Sequence, residues 1–118
     1  MKSLILFDVD GTLTESRQKI KDDMIGSLYR LSRKENFDIG IVGGSDYAKQ
    51  LEQLGEDTLK LFKFVFSENG LVAYENGEII NNENIVKKIG EQSFTKLINI
   101  CLNALSKCDS TCKRGNFI

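Results

Sequence analysis

Two carboxylates stand one residue apart directly after an apolar run near the beginning of the chain. Residues 4–14 read LILFDVDGTLT, so that Asp8 and Asp10 follow the apolar residues 4–7. In an extended backbone residues i and i+2 point to the same face, and both carboxylates can therefore enter one crevice. Two unit charges 4 Å apart repel by about 4 kcal/mol at an effective dielectric constant of 20. The pair therefore requires something that compensates this repulsion.

Three interpretations of the pair follow from its chemistry. A divalent cation is one, because Mg²⁺ typically binds one or two carboxylates together with water and substrate phosphate oxygens. A shared proton is another, since one of two close carboxylates can have a raised pKa and act as a general acid. The third is a hairpin turn at Asp10-Gly11 with Asp8 solvated. A calcium loop is excluded because its sixth and twelfth positions would be Leu13 and Lys19.

A second candidate loop is the stretch Gly43-Gly44-Ser45. It is consistent with an ordinary helix start, in which Ser45 or Asp46 is the N-cap. It is also consistent with a phosphate cradle, because glycines let the backbone approach a phosphate and a helix N-terminus offers unpaired N–H groups. Arg17, just after the first loop, is a candidate for binding phosphate through both of its terminal amino groups.

Alternating strand and helix patterns surround these residues. Short apolar runs predict strands over 3–7, 38–42 and 62–66, and apolar spacing predicts a helix over 19–31. A second helix is expected from the glycine loop through Ala48, Leu51 and Leu54 to Gly55. The pairs Asn69-Gly70 and Asn76-Gly77 predict hairpin turns around residues 71–74. An amphipathic helix is predicted over about 91–107, and KRGNFI at 113–118 reads as the start of a further strand.

Three strands with helical crossovers predict a parallel α/β sheet. Ligands of such sheets bind outside the carboxyl ends of the strands. Asp8 and Asp10 follow the first predicted strand, and Gly44 and Ser45 follow the second. The topology therefore brings the two loops to one edge of the sheet.

The composition indicates a globular chain without a nucleic-acid or membrane partner. Its 118 residues are 41% hydrophobic and 28% charged, and the net charge is −1. It has no apolar segment long enough for a membrane span and no signal-peptide pattern, so a cytoplasmic location is expected. The three cysteines, Cys101, Cys108 and Cys112, are expected to be reduced thiols. A zinc site is not expected, because the chain has no histidine to complete four ligands.

The first loop carries a family resemblance. The string DVDGTLT at 8–14 resembles the first signature of the haloacid dehalogenase (HAD) superfamily, and Ser45 stands where its second signature has Ser or Thr. FDVDGTLT, RQKI, VGGSD, QLG, ENGLVAY and KRG together resemble the eukaryotic phosphomannomutase family, in order and over nearly the whole chain.

This resemblance implies a role for each candidate residue. Asp8 is the nucleophile that becomes an aspartyl phosphate, and Asp10 gives and takes the proton. Asp8 and the backbone carbonyl of Asp10 hold Mg²⁺, while Arg17, Gly44 and Ser45 bind phosphate. The implied reaction interconverts mannose 6-phosphate and mannose 1-phosphate, with a hexose bisphosphate as intermediate and activator, for GDP-mannose synthesis.

The resemblance also implies an incomplete α/β domain. Residues 1–81 match the first half of a HAD-like three-layer parallel-sheet core, and 82–118 match only the beginning of an α+β cap. The family's stabilising lysine and further acidic metal ligands belong to the second half of the core, and its homodimer contact to the cap. The isolated chain is therefore expected to be inactive. The alternatives to a phosphomannomutase function are a HAD-type sugar phosphatase and a non-catalytic fragment that acts only as a binding module.

Overall fold

The computed structural model describes residues 1–109. The strand predicted at 113–118 and Cys112 lie outside the described residues. Contacts divide the chain into a first unit, Met1–Asn82, and a second that begins at Glu83. The identity of these units as half of a core and the start of a cap stays a prediction.

The first unit is built on a five-stranded mixed sheet. Its strands are β1 (Ser3–Phe7), β2 (Phe37–Val42), β3 (Phe64–Ser67), β4 (Val72–Glu75) and β5 (Glu78–Asn82). They lie side by side in chain order. β1, β2 and β3 pair in parallel, whereas β4 and β5 add antiparallel. The predicted parallel α/β sheet is therefore confirmed, with an antiparallel hairpin at its end.

Helices fill the connections between the parallel strands. α1 (Asp22–Ser32) joins β1 to β2, and α2 (Tyr47–Leu54) and α3 (Glu56–Leu59) join β2 to β3. Gly55 ends α2 with φ 81°, a backbone conformation that favours glycine. The second unit contains α4 (Ile85–Ile89) and α5 (Glu91–Ser106). Among residues 1–109, no helix has both the length and the apolar character needed to cross a bilayer.

The core of the first unit lies on one face of the sheet. Ile39 and Ile41 of β2 are 2% and 0% exposed, and they belong to one buried cluster with Leu28 of α1, Leu54 of α2 and Val65 of β3. On the opposite face the structure leaves apolar side chains of β1 exposed, because no described element of this unit covers them. The unit thus supplies two of the three expected layers.

Turn residues join the antiparallel strands. Asn76 and Gly77, with φ of 50° and 82°, connect β4 to β5 as a two-residue hairpin turn, as predicted. Asn69 and Gly70 also have positive φ, but they form part of a 3₁₀ turn, Glu68–Gly70, between β3 and β4.

Several boundaries differ from the predicted ones for local reasons. β3 begins at Phe64 rather than Phe62, which is only 3% exposed although it precedes the strand. α1 begins at Asp22 rather than at residue 19. The backbone N–H of Ile20, which was expected inside the helix, donates instead to the carbonyl of Gln53 at 2.9 Å. The short helix α4 was not predicted, because five residues are too few for a periodic pattern.

Candidate active site

The loop after β1 is a tight turn organised around one carbonyl group. The carbonyl of Val9 accepts backbone hydrogen bonds from Thr12, Leu13 and Thr14 at 3.0–3.2 Å. Gly11 has φ +79°, a conformation that side chains other than glycine rarely adopt. Val9 itself is buried, whereas its neighbours Asp8 and Asp10 are exposed. The turn therefore anchors itself through Val9 and presents both carboxylates to solvent.

The Asp10 carboxylate is held through one oxygen. Its Oδ1 accepts from the backbone N–H of Arg17 at 2.9 Å and from Nε2 of Gln53 at 2.7 Å. These two hydrogen bonds lower the pKa of Asp10, and the bond from Gln53 contributes most. The positive charges of Arg17 and Lys49 lower the pKa further. Within residues 1–109, no group donates to Oδ2.

Two oxygens of the same loop are suited to a hard cation. The only bond to the Asp8 carboxylate from the described residues is a long one, 3.5 Å, from the hydroxyl of Thr12. The backbone carbonyl of Asp10 accepts no hydrogen bond within residues 1–109, although the carbonyl of Val9 beside it accepts three from the backbone. These two oxygens are suitable ligands for Mg²⁺, which typically binds one or two protein carboxylates and keeps water and phosphate oxygens as its other ligands. In the described part of the chain, no group of three or more acidic, histidine or cysteine side chains is placed so that it could hold a metal ion together.

The loop after β2 is fixed to the start of the hairpin. The backbone N–H of Gly43 donates to Phe66 at 3.2 Å, and its carbonyl accepts from Asn69 at 2.9 Å. The Ser45 carbonyl accepts from Glu68 at 2.9 Å. The Ser45 hydroxyl makes no hydrogen bond with residues 1–109. It is half-buried and is left available to a ligand.

Gly44 has room for a side chain as far as the described residues are concerned. A Cβ built there would lie 3.6 Å from the nearest atom, Oδ1 of Asn69, which is ordinary contact. Glycine is thus not required at this position by packing, and the open space above the backbone suits an approaching phosphate. An open cavity of about 440 Å³, lined in part by Ser45 and Lys49, adjoins the loop.

The helix α2 begins at this second loop and returns to the first. Asp46 caps it, with Oδ1 accepting from the backbone N–H of Lys49 at 2.8 Å. Its last turn carries Gln53, which bonds to Asp10. Among residues 1–109, no hydrogen bond joins the two loops directly, so α2 connects them. The pairing of Phe7 with Ile41 places both loops at the same edge of the sheet.

The structure therefore groups the predicted residues in two neighbouring loops. Asp8, Asp10 and Arg17 lie in the first, and Gly44 and Ser45 lie in the second. Arg17 meets Asp10 through its backbone N–H, and its φ of 60° is unusual for a residue other than glycine. The roles assigned to these five residues stay predictions.

Sequence reasoning missed Gln53 and Lys49. The helix was expected to run through Ala48, Leu51 and Leu54, but Ala48 and Leu51 are exposed. The buried residues are Gln50, Gln53 and Leu54, which follow the i, i+3, i+4 spacing of a single helix face. That spacing was the available signal, and it was obscured because two of its three members are polar.

Comparison with known proteins identifies the family. A family model described as eukaryotic phosphomannomutase matches residues 24–118. The chain belongs to the eukaryotic phosphomannomutase family. It is 51% identical over 116 residues to a phosphomannomutase of Galdieria sulphuraria, covering 98% of this chain and 45% of the relative. It is 47% identical over 117 residues to a phosphomannomutase of Encephalitozoon cuniculi, covering 99% and 45%.

Solved structures agree with this assignment at the level of the fold. A phosphatase of the haloalkanoate (HAD) enzyme superfamily from Bacteroides thetaiotaomicron superposes with a TM-score of 0.62 and 25% identity, covering 87% of this chain and 36% of that one. The HAD-like α/β architecture is therefore confirmed. The chain spans less than half the length of the curated phosphomannomutases that it matches.

Proposed function

We propose that this chain carries the phosphoryl-transfer residues of a phosphomannomutase, which interconverts mannose 6-phosphate and mannose 1-phosphate for GDP-mannose synthesis. The observation that carries the proposal is the loop after β1. In a chain of this family, that loop exposes two carboxylates beside a glycine-serine loop at the carboxyl edge of a parallel sheet.

In the proposed reaction, Asp8 is the nucleophile and Asp10 moves the proton. An Asp8 oxygen forms a bond to phosphorus of a hexose bisphosphate while the bond from phosphorus to the sugar oxygen breaks. Asp10 gives its proton to that sugar oxygen as it leaves. In the return step a hydroxyl of the hexose monophosphate attacks the aspartyl phosphate, and Asp10 takes the hydroxyl proton. The bisphosphate formed in this step then gives its other phosphoryl group to Asp8, so the released hexose monophosphate carries its phosphate at the other position of the sugar.

The other candidate residues bind the phosphate. Ser45 offers a hydroxyl that bonds to none of residues 1–109, and Gly44 offers an approachable backbone. Arg17 and Lys49 supply positive charge near Asp10. Mg²⁺, held by the Asp8 carboxylate and the Asp10 carbonyl, would offset the charge of the transferring group.

The substitution Asp8→Asn tests this proposal in the full gene product that contains these residues. We expect Mg²⁺-dependent conversion of mannose 1-phosphate to mannose 6-phosphate in the presence of a hexose 1,6-bisphosphate, and its loss in Asp8→Asn. The matched control is Asp38→Asn, the same chemical change at the opposite edge of the sheet, and it keeps the activity. Full activity of Asp8→Asn would refute the proposal.

A sugar phosphatase is the second candidate, because a similar solved structure is described as a phosphatase. The reaction products distinguish a mutase from a phosphatase. A mutase keeps the phosphate on the sugar, whereas a phosphatase releases inorganic phosphate as the main product. We also propose that the 118-residue chain is inactive alone and that the complete protein is a homodimer. The first is tested by assaying the isolated chain, and the second by measuring the mass of the full gene product in solution.

A further inference from the structure

Gln53 is a buried polar residue at the end of α2. Only 4% of it is exposed, and burying an amide is unfavourable unless its hydrogen bonds are made. The Nε2 of Gln53 donates to Asp10 Oδ1 at 2.7 Å and to the carbonyl of Gln18 at 3.2 Å. The backbone carbonyl of Gln53 accepts from Ile20 at 2.9 Å. One residue of α2 therefore contacts the first loop and the segment after it at three points.

These contacts fix the orientation of Asp10. The shortest of them reaches Oδ1, which also accepts from the backbone of Arg17. An oxygen with two donors is a poor partner for a reacting hydroxyl, because both of its lone pairs are engaged and one donor would have to be displaced. The other oxygen, Oδ2, has no donor within residues 1–109. The bond from Gln53 thus decides which oxygen of Asp10 faces a substrate.

We infer that Gln53 is a positioning residue for Asp10: its side-chain amide holds Oδ1 and leaves Oδ2 as the oxygen that exchanges the proton. This inference rests on the proposed role of Asp10. It assigns to α2 a function beyond presenting the phosphate loop, since both ends of the same helix serve the site.

The substitution Gln53→Met tests this inference. Methionine keeps an unbranched side chain of similar length but has no donor for Oδ1. We expect kcat for the hexose phosphate reaction to fall by about 10- to 100-fold while KM changes little, because a displaced catalytic group slows the reaction more than it weakens binding.

A comparison of leaving groups distinguishes positioning from structural damage. A nitrophenolate leaves without protonation, so phosphoryl transfer from p-nitrophenyl phosphate to Asp8 does not need Asp10. Gln53→Met should therefore retain transfer from p-nitrophenyl phosphate and lose the reaction of the sugar ester. An equal loss with both esters would overturn the inference while leaving the proposed function in place.

Gln50→Met is the matched control. Gln50 lies one turn earlier on α2 and is 1% exposed, but its side chain bonds to Phe66 and Ser67 rather than to Asp10. Its substitution removes buried hydrogen bonds of the same kind, and we expect no selective loss with the sugar ester. A selective loss equal to that of Gln53→Met would count against a specific role of Gln53.

A measurement without catalysis separates this inference from the proposed function. Three-bond scalar couplings report the χ1 rotamer of Asp10 in the labelled 118-residue chain. We expect one rotamer in the unsubstituted protein and in Gln50→Met, and averaging in Gln53→Met. If Gln53→Met does not fold, Gln53→Asn replaces it, because the shorter amide cannot reach Oδ1. A single unchanged rotamer would refute the positioning role, whether or not the protein is a mutase.

Discussion

Asp38 shows how a single residue couples the stability of this sheet to pH. It lies near the start of β2, and its carboxylate is 3.1 Å from Nζ of Lys63 and 3.5 Å from Nζ of Lys2. The hydrogen bond from Lys63, followed by the charges of both lysines, lowers the pKa of Asp38 from its usual value of 3.8. The lysines extend from the segments before β1 and β3, so Asp38 links three strands at the end of the sheet opposite the candidate active site.

The substitution Asp38→Asn should change the pH dependence of stability. A carboxylate with a lowered pKa in the folded state stabilises the protein above its unfolded pKa and loses that contribution as pH falls through its folded pKa. Urea denaturation should therefore find the unsubstituted protein more stable near neutral pH. The difference should vanish in acid below pH 3.8. High salt should reduce it, because the lysines are substantially exposed. A difference independent of pH would contradict this account.

Single residues also mark the limit of what the sequence predicts. Asp8, Asp10, Gly44 and Ser45 were selected as candidates because their types and spacing are characteristic and because each follows a predicted strand. Gln53 was not among the candidates, because the spacing of buried residues on α2 indicates only that it is buried, and no local pattern indicates its contact with Asp10 across the fold.

At the scale of strands and loops, two glycines differ in the space that a side chain would have. A Cβ at Gly40 would lie 2.8 Å from Leu6 of β1 and 3.1 Å from the carbonyl oxygen of Phe64 in β3, so three strands approach closely there. At Gly44 a Cβ would make only ordinary contact. Strand packing therefore disfavours a side chain at Gly40, whereas Gly44 leaves room for a ligand.

The paired substitutions Gly40→Ala and Gly44→Ala test this contrast. We expect Gly40→Ala to lower the free energy of unfolding by about 1–3 kcal/mol through overpacking, as measured by urea denaturation. We expect Gly44→Ala to change it by less than about 0.5 kcal/mol. The added methyl group of Gly44→Ala should nevertheless lower kcat/KM for the hexose phosphate by about 100-fold, because it displaces the phosphate. A stable, fully active Gly44→Ala protein would remove the phosphate cradle from the mechanism.

The bounds of strands and helices were predicted best where a single sequence pattern, such as an apolar run or a terminating glycine, determined them. β1 was predicted with its observed bounds and β2 within one residue, because each is a short apolar run. The end of α2 was predicted because Gly55 supplies a specific stop. β3 was predicted to begin two residues too early. The buried Phe62 belongs to the turn after α3, and an apolar residue in a buried turn cannot be distinguished by its type from one in a strand.

At the scale of the whole molecule, the uncovered face of β1 is an exposed apolar surface of the first unit. Leu4 and Leu6 alternate with the core-facing Ile5 and are each 47% exposed. β1 is also an edge strand, because in the described sheet it pairs only with β2. Exposed apolar side chains on an open strand edge promote association between chains.

We therefore expect the 118-residue chain to self-associate through β1. Size-exclusion chromatography with light scattering should give a mass above that of a monomer. The double substitution Leu4→Lys with Leu6→Lys should return it to the monomer, because charges on an edge strand oppose pairing.

Tyr29→Lys is the control for this prediction. Tyr29 is 53% exposed on α1, away from the sheet edge, and its substitution should leave the mass unchanged. A monomeric unsubstituted chain at the same concentration would show that β1 does not drive association.

The bond between Gln53 and Asp10 also has a consequence for the order of folding. The two residues are 43 positions apart, so the bond forms only after β2 and α2 have packed beside β1. The carboxylate loop thus gains its final conformation late, after non-local contacts have closed the chain. Conversely, fraying of the last turn of α2 releases the Asp10 carboxylate before the sheet opens. The backbone N–H groups of Arg17 and Ile20 donate to Asp10 and to Gln53, so their hydrogen exchange should follow the local opening of α2 rather than global unfolding.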